Sequence, residues 1–332
     1  MRAKRRSLLL AAAGIGLAAP YRAFAQPRAR ARRFEIIMAT GRTKEYAAAV
    51  DGLVGVLGAQ GWKRGDNLVI EEQWSAGGKA KAQVAVQQVL TRAPDVVLGQ
   101  SLEVIQALQA ATKTVPIVFV HVADPVAGGL VSNLARPDGN ITGVTNTEPS
   151  IGGKWLQLLK EMAPQATRVA MLVHPDTQPD GGEMFLRPFA TAARTLGVAT
   201  VPGTVRGLAD IEALIADLGA KRNGGLVVMP DAFFAGLSTR IVSLAQKFGV
   251  PAAYPYRYYV EQGGLLSYGV NNVDLFRQAA TYIDRLLRGA KPADLAVQQA
   301  SRFELVINKK TAKALDITLP QSILLRADGV IG

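Results

Sequence analysis

The sequence has no cysteine and only two histidines, His121 and His174. Without cysteine there is no disulfide scaffold, no thiolate metal site and no lipid-bearing residue to follow an export leader. Neither histidine has carboxylates at metal-ligand spacing, so each reads as a hydrogen-bonded residue at a strand end, and no metal is expected. A Walker loop, a dinucleotide glycine fingerprint after a strand and an HExxH motif are all missing. Gly99-Gln100-Ser101 is half of a nucleophile elbow, but residue 103 is Glu where the second glycine belongs, and no histidine follows in a suitable context. No acid–base pair or triad emerges, so the chain is not expected to be an enzyme and no cofactor is called for.

What the chain does have is 332 residues, 49% of them hydrophobic and 19% charged, enough for two domains with buried cores. The net charge of +12 invites a nucleic-acid reading, but five basic and no acidic side chains fall in residues 1–25, which leaves +7 for the remainder. Arg2, Lys4, Arg5 and Arg6 precede an apolar run at 8–19 that is too short to span a bilayer, and Ala23-Phe24-Ala25 supplies a small-x-small cleavage site. Residues 1–25 are therefore expected to be a cleaved signal peptide and the mature chain a soluble periplasmic protein with no nucleic-acid partner. Arg5-Arg6-Ser7-Leu8-Leu9 also resembles a twin-arginine export motif, so the general and twin-arginine routes both stay open.

From Phe34 onward, short apolar runs at 34–38, 96–98, 117–120, 169–173 and 226–229 alternate with amphipathic stretches. Continuous apolar runs of this length fit strands buried on both faces, and the alternation predicts an α/β fold with parallel sheets. The order also repeats. Asp95-Val96-Val97-Leu98-Gly99, a helix, Val115-Pro116 and a strand are matched by Gly225-Leu226-Val227-Val228-Met229, a helix, Val250-Pro251 and a strand. This predicts two doubly wound parallel-sheet lobes joined by a multi-strand hinge, with lobe 1 at 26–145, lobe 2 at 146–270, and 271–332 recrossing to complete lobe 1 and the hinge.

In such sheets ligands bind beyond the carboxyl ends of the strands, which makes the residues just after each run the candidates. Thr40, Gln100, Asn146 and Phe233 fall at such places. Ser101 opens a helix, where its hydroxyl and the following N–H groups would hold a ligand carboxylate or simply cap the helix. Asp124, Asp176 and Asp231 are further strand-end positions, with Asp231 taken as the counterpart of Asp124; Asp124 and Asp231 would pair with a ligand ammonium or serve as turn residues. Tyr256 and Tyr268 belong to a tyrosine-rich stretch whose rings would stack on a planar ligand or pack the lobe edge.

Val118-Phe119-Val120-His121-Val122-Ala123-Asp124-Pro125-Val126 and Leu134-Ala135-Arg136-Pro137-Asp138-Gly139-Asn140-Ile141-Thr142-Gly143 resemble a family of ABC-type substrate-binding proteins related to tryptophan and tyrosine binders. Gly264-Leu265-Leu266-Ser267-Tyr268-Gly269 and Phe303-Glu304-Leu305-Val306-Ile307-Asn308 extend the resemblance almost to the end. It implies a type I periplasmic-binding fold, a small-molecule solute that is amino-acid-like and possibly aromatic, and partnership with an ABC permease and its ATPase. The membrane would be met only through that permease, by a monomer. A ligand sensor subunit or, less in keeping with the residues, a periplasmic hydrolase are the alternatives.

Overall fold

The computed structural model describes residues 30–74, 77–148 and 150–332, so the expected signal peptide lies outside the described residues. Between Ala31 and Gly332 the branched apolar runs form the centres of two sheets. The first holds β1 (Arg32–Ile37), β2 (Leu68–Gln73), β3 (Val96–Gln100), β4 (Ile117–Val122) and β5 (Ile141–Thr145). The second holds β6 (Arg168–Leu172), β7 (Ala199–Val201), β8 (Gly224–Val228), β9 (Ala252–Tyr254) and β10 (Leu266–Val270). Three further strands follow: β11 (Gln298–Gln299), β12 (Phe303–Asn308) and β13 (Gly329–Ile331).

The spatial order of the first sheet is β11-β5-β4-β3-β1-β2, and every pair is parallel. The second runs β13-β12-β10-β9-β8-β6-β7, with one antiparallel pair, β10 with β12. Read from their first strands, the two sheets share one doubly wound order, so β3 corresponds to β8, β4 to β9 and β5 to β10. The repeat seen in the sequence is this shared order.

Burial follows the two-residue period of a strand. Phe34, Ile36, Val96, Leu98, Val118 and Val120 pack in one cluster with the helix Lys44–Ala59. Their neighbours Ile37, Val97, Ile117 and Phe119 pack in a second cluster with the helices Lys79–Leu90 and Leu102–Ala111. Each such side chain, fully buried, contributes about 1.5–3 kcal/mol. In the second lobe the helices Ile151–Met162 and Glu183–Thr195 pack together, and Leu208–Ala220 packs on β8 and on Ser238–Lys247.

The chain passes between the sheets after β5, after β10 and after β11. Residues 271–332 divide accordingly. The helix Asn272–Leu287 lies along Lys44–Ala59, tied by Trp62 Nε1–H donating to Asp284 at 2.8 Å, and β11 pairs with β5. Residues 303–331 instead return to the second sheet, because β12 runs antiparallel to β10 and so covers the edge that β10 would otherwise expose.

Candidate functional site

The carboxyl ends of strands from both lobes face one cleft, where a doubly wound sheet places its ligand sites. The space between them is about 650 Å³, counting its opening to solvent. Thr40, Gln100, Ser101, Asp124 and Asn146 line it from the first lobe, and Asp231 and Tyr256 from the second. Among the described residues no lysine or arginine lines it.

Part of the first-lobe wall is a chain of neutral hydrogen-bonding groups, Thr40, Gln100, His121 and Tyr46. The backbone N–H and hydroxyl of Thr40 both donate to Gln100 Oε1, at 3.3 and 3.0 Å. This orients the amide so that Nε2 faces His121 Nδ1 at 3.3 Å, with the Tyr46 hydroxyl 3.5 Å from the same nitrogen. An amide N–H can only donate there, so Nδ1 is the acceptor and the imidazole proton sits on Nε2. Burial pushes the His121 pKa down to about 4, which keeps the ring neutral at pH 7. The neighbouring Asn272 side chain partly opposes that shift, although among the described residues no group meets hydrogen-bond geometry with Nε2.

His121 reaches this position through an unusual backbone. Its φ is +57°, in the left-handed region, and the β4–β5 register shifts between Phe119 and Val122. Such a conformation costs about 1–2 kcal/mol and re-aims the side chain. The imidazole stacks on Tyr256 of the other lobe, centroids 5.5 Å apart and planes 10° from parallel. Asn146 Nδ2–H donates to the Tyr256 hydroxyl at 2.8 Å, which leaves Asn146 Oδ1 without a partner. Burial holds the Tyr256 phenol well above its ordinary pKa, so it stays protonated.

The second-lobe wall is charged. Asp231 caps the short helix Ala232–Gly236: Oδ1 accepts from Phe233 N–H at 2.6 Å, while Oδ2 accepts from Gln178 Nε2–H at 2.7 Å and from the Thr177 hydroxyl. Because it follows β8, Asp231 is the counterpart of Ser101 after β3 and not of Asp124, which follows β4. Asp124 caps its own turn, Oδ1 accepting from Val126 and Ala127 N–H at 3.0 and 2.9 Å.

Ser101 does not cap its helix through its side chain. Its φ is +84°, and its hydroxyl donates to Glu103 Oε2 at 3.3 Å. A carboxylate of the protein thus stands where a ligand carboxylate was expected. Burial, and then the nearby Asp231 charge, push the Glu103 pKa up.

Three expected residues lie outside the cavity. Asp176 points to the surface and pairs with Arg206. Phe233 packs against His174, centroids 4.4 Å apart. Tyr268 sits within β10 and stacks on Phe303 at 5.8 Å. Conversely, Tyr46, Glu103, Thr177 and Gln178 line the cavity although the sequence does not single them out, and His121, a hydrogen-bonded strand-end residue in the sequence reading, lines it too. Glu103, two positions past Ser101 in the first helical turn, carried the one usable signal. Tyr46 is indistinguishable in sequence from the apolar face of its helix.

A two-lobed α/β chain with a cleft at its strand ends is a type I periplasmic-binding fold. The chain belongs to the ABC transporter substrate binding protein family, whose model matches residues 42–331. It is similar to a tyrosine-binding protein of Clostridioides difficile, 26% identical over 269 residues covering 81% of this chain and 76% of that one. The crystal structure of an ABC domain from Streptococcus pneumoniae in complex with L-Trp is 27% identical with a TM-score of 0.82, covering 91% of this chain and all of that one. A conserved domain protein from Vibrio cholerae has the same TM-score at 28% identity and the same coverage. No described helix is long and apolar enough to cross a membrane.

Proposed function

We propose that this chain is the exported solute receptor of an ABC importer, binding an amino-acid-like ligand with an aromatic ring by closure of its two lobes. The observation that carries the reading is the cross-lobe stack of His121 on Tyr256 in a cleft also lined by Asn146, Gln100 and Asp231. A planar ring fits beside this stacked pair, and the polar groups around it supply orientation. The tyrosine-binding and L-Trp-bound relatives support the same ligand class. In this account the signal at 1–25 is cleaved near Ala25, the mature protein is a periplasmic monomer, and it hands its solute to a permease and its ATPase without chemical change.

Thermal-shift measurement against amino acids, aromatic acids, nucleosides and sugars tests this. An aromatic amino acid at about a hundred times its Kd should raise the melting temperature by roughly 5 °C, since ligand that binds only the folded state stabilises it by about 2.7 kcal/mol. A shift with sugars or nucleosides alone would replace the ligand class, and turnover of any hit would end the receptor reading.

A further inference from the structure

The charge of the cleft is one-sided. Glu103 and Asp124 line it from the first lobe and Asp231 from the second, with no cationic side chain among the lining residues. Asp124 and Asp231 both accept hydrogen bonds within their own turns, and Asp231 is the one whose charge acts on Glu103. Glu103 and Asp231 approach from opposite lobes, near enough that the Asp231 charge adds to burial in raising the Glu103 pKa. Two like charges brought together by closure oppose it unless something positive enters between them.

A neutral group on the same wall makes the same demand. Asn146 is only 5% exposed, lines the cavity, and has an Oδ1 with no donor, because its Nδ2 is committed to Tyr256. A buried carbonyl oxygen left without a donor costs about 1–3 kcal/mol, so this atom, too, calls for a ligand N–H. The hydroxyls and amide that would otherwise receive a ligand carboxylate are already donating to protein acceptors: Ser101 to Glu103, Thr40 to Gln100, and Thr177 and Gln178 to Asp231.

We propose that Glu103 and Asp231 form a two-carboxylate clamp, one arm from each lobe, that closes on the ligand's ammonium group. The ligand class is then aromatic amines, with or without a carboxylate. This rests on the reading of the cleft as the solute site. It adds that the ammonium is indispensable and the carboxylate is not, and that closure is coupled to the arrival of a cation.

Isothermal titration of the purified protein at pH 7.5 with L-tryptophan, tryptamine and indole-3-propionate, and with the matching tyrosine series, separates the possibilities. The clamp predicts that amino acid and amine bind within about tenfold of each other while the deaminated acid binds at least about 100-fold more weakly. Glu103→Gln and Asp231→Asn should each weaken the amine by about tenfold or more. The ligand-free melting temperature of Glu103→Gln should be unchanged or higher, because a repulsion is removed. A purely structural role would instead lower that temperature and leave the amine-to-acid ratio as it was, which overturns the clamp. Tight binding of the acid with none of the amine overturns the clamp and leaves the aromatic-solute reading standing. If none of the six compounds binds, that reading falls and the clamp with it.

Discussion

The two lobes share one strand order, and comparing equivalent positions separates what topology supplies from what sequence supplies. After β3 the first lobe has Ser101, at a φ of +84° and with no side-chain cap; after β8 the second has Asp231, at a φ of −158° and capping its helix. At the end of β4 lies His121, and after β9 comes Tyr256, which stack on each other across the cleft. In β5 a Cβ on Gly143 would lie 2.3 Å from the Phe119 carbonyl oxygen, and in β10 a Cβ on Gly269 would lie 1.8 Å from that of Pro255. Each glycine therefore lets the backbone leading to the cleft aromatic come close to the next strand. The architecture is symmetric and the chemistry is not: the first lobe brings a hydrogen-bonded chain of neutral groups together with Glu103 and Asp124, and the second brings Asp231.

The largest expected effect breaks the shared part. Gly269→Ala and Gly143→Ala should each destabilise the protein by about 3 kcal/mol or more, since a backbone oxygen occupies the space and must be pushed aside. Urea unfolding measures this, and a near-neutral Gly269→Ala would show that the close approach does not shape the second-lobe rim.

Next in size is a pH effect that belongs to the first lobe. Burial pushes the Glu45 pKa up from 4.5 to about 7, aided by the charges of Glu261 and Glu304 and opposed by a hydrogen bond from Asn272 and by Arg257. Folded Glu45 keeps a proton that the unfolded chain loses, so its contribution is full below pH 4.5 and falls away as pH rises to 7, by up to about 3 kcal/mol. His121 is displaced the other way, from 6.5 to about 4, and its contribution is full above 6.5 and lost as pH falls toward 4. Between pH 4.5 and 6.5 the two oppose each other and the wild-type stability should be nearly level. Glu45→Gln should leave a stability that drops on acidification, and His121→Asn one that drops on alkalinisation. Unfolding free energies across pH 4–7.5 decide it, and slopes of the same sign in both variants would contradict the assignment.

A smaller change tests the contact between the walls. Tyr256→Phe keeps the stacked ring but removes the acceptor of Asn146 Nδ2, for an expected loss of about 1–2 kcal/mol in thermal unfolding. A neutral result would mean that this hydrogen bond does not tie the lobes. Smallest of all, Ser101→Gly relieves a positive φ and should stabilise by about 0.5–1 kcal/mol, which Ser101→Ala should not do. Equal melting temperatures for the two variants would remove the case for strain there.

The sheets were legible because strands buried on both faces leave uninterrupted apolar runs, as at β3, β4 and β8. Edge strands were less so: in β2 the run Leu68-Val69-Ile70 is cut short by Glu71 and Glu72, and β7 is a three-residue strand that is largely exposed. Strand-end residues could be read from position alone, which brought Thr40, Gln100, Ser101, Asn146, Asp231 and Tyr256 to one cavity. Side-chain direction could not, so Asp176 turns out to Arg206 and Tyr268 points from mid-strand toward Phe303. Asp231 and Asp124 both follow strands and so look equivalent in sequence, whereas equivalence is set by strand order, which pairs Asp231 with Ser101.

The crystal structure of the protein grown with L-tryptophan tests the central claim most directly. It should show one ligand between the lobes, its ring against Tyr256 and His121 and its ammonium within hydrogen-bond reach of Glu103 and Asp231. A ligand held by one lobe alone, or seated in another cavity, would contradict the account.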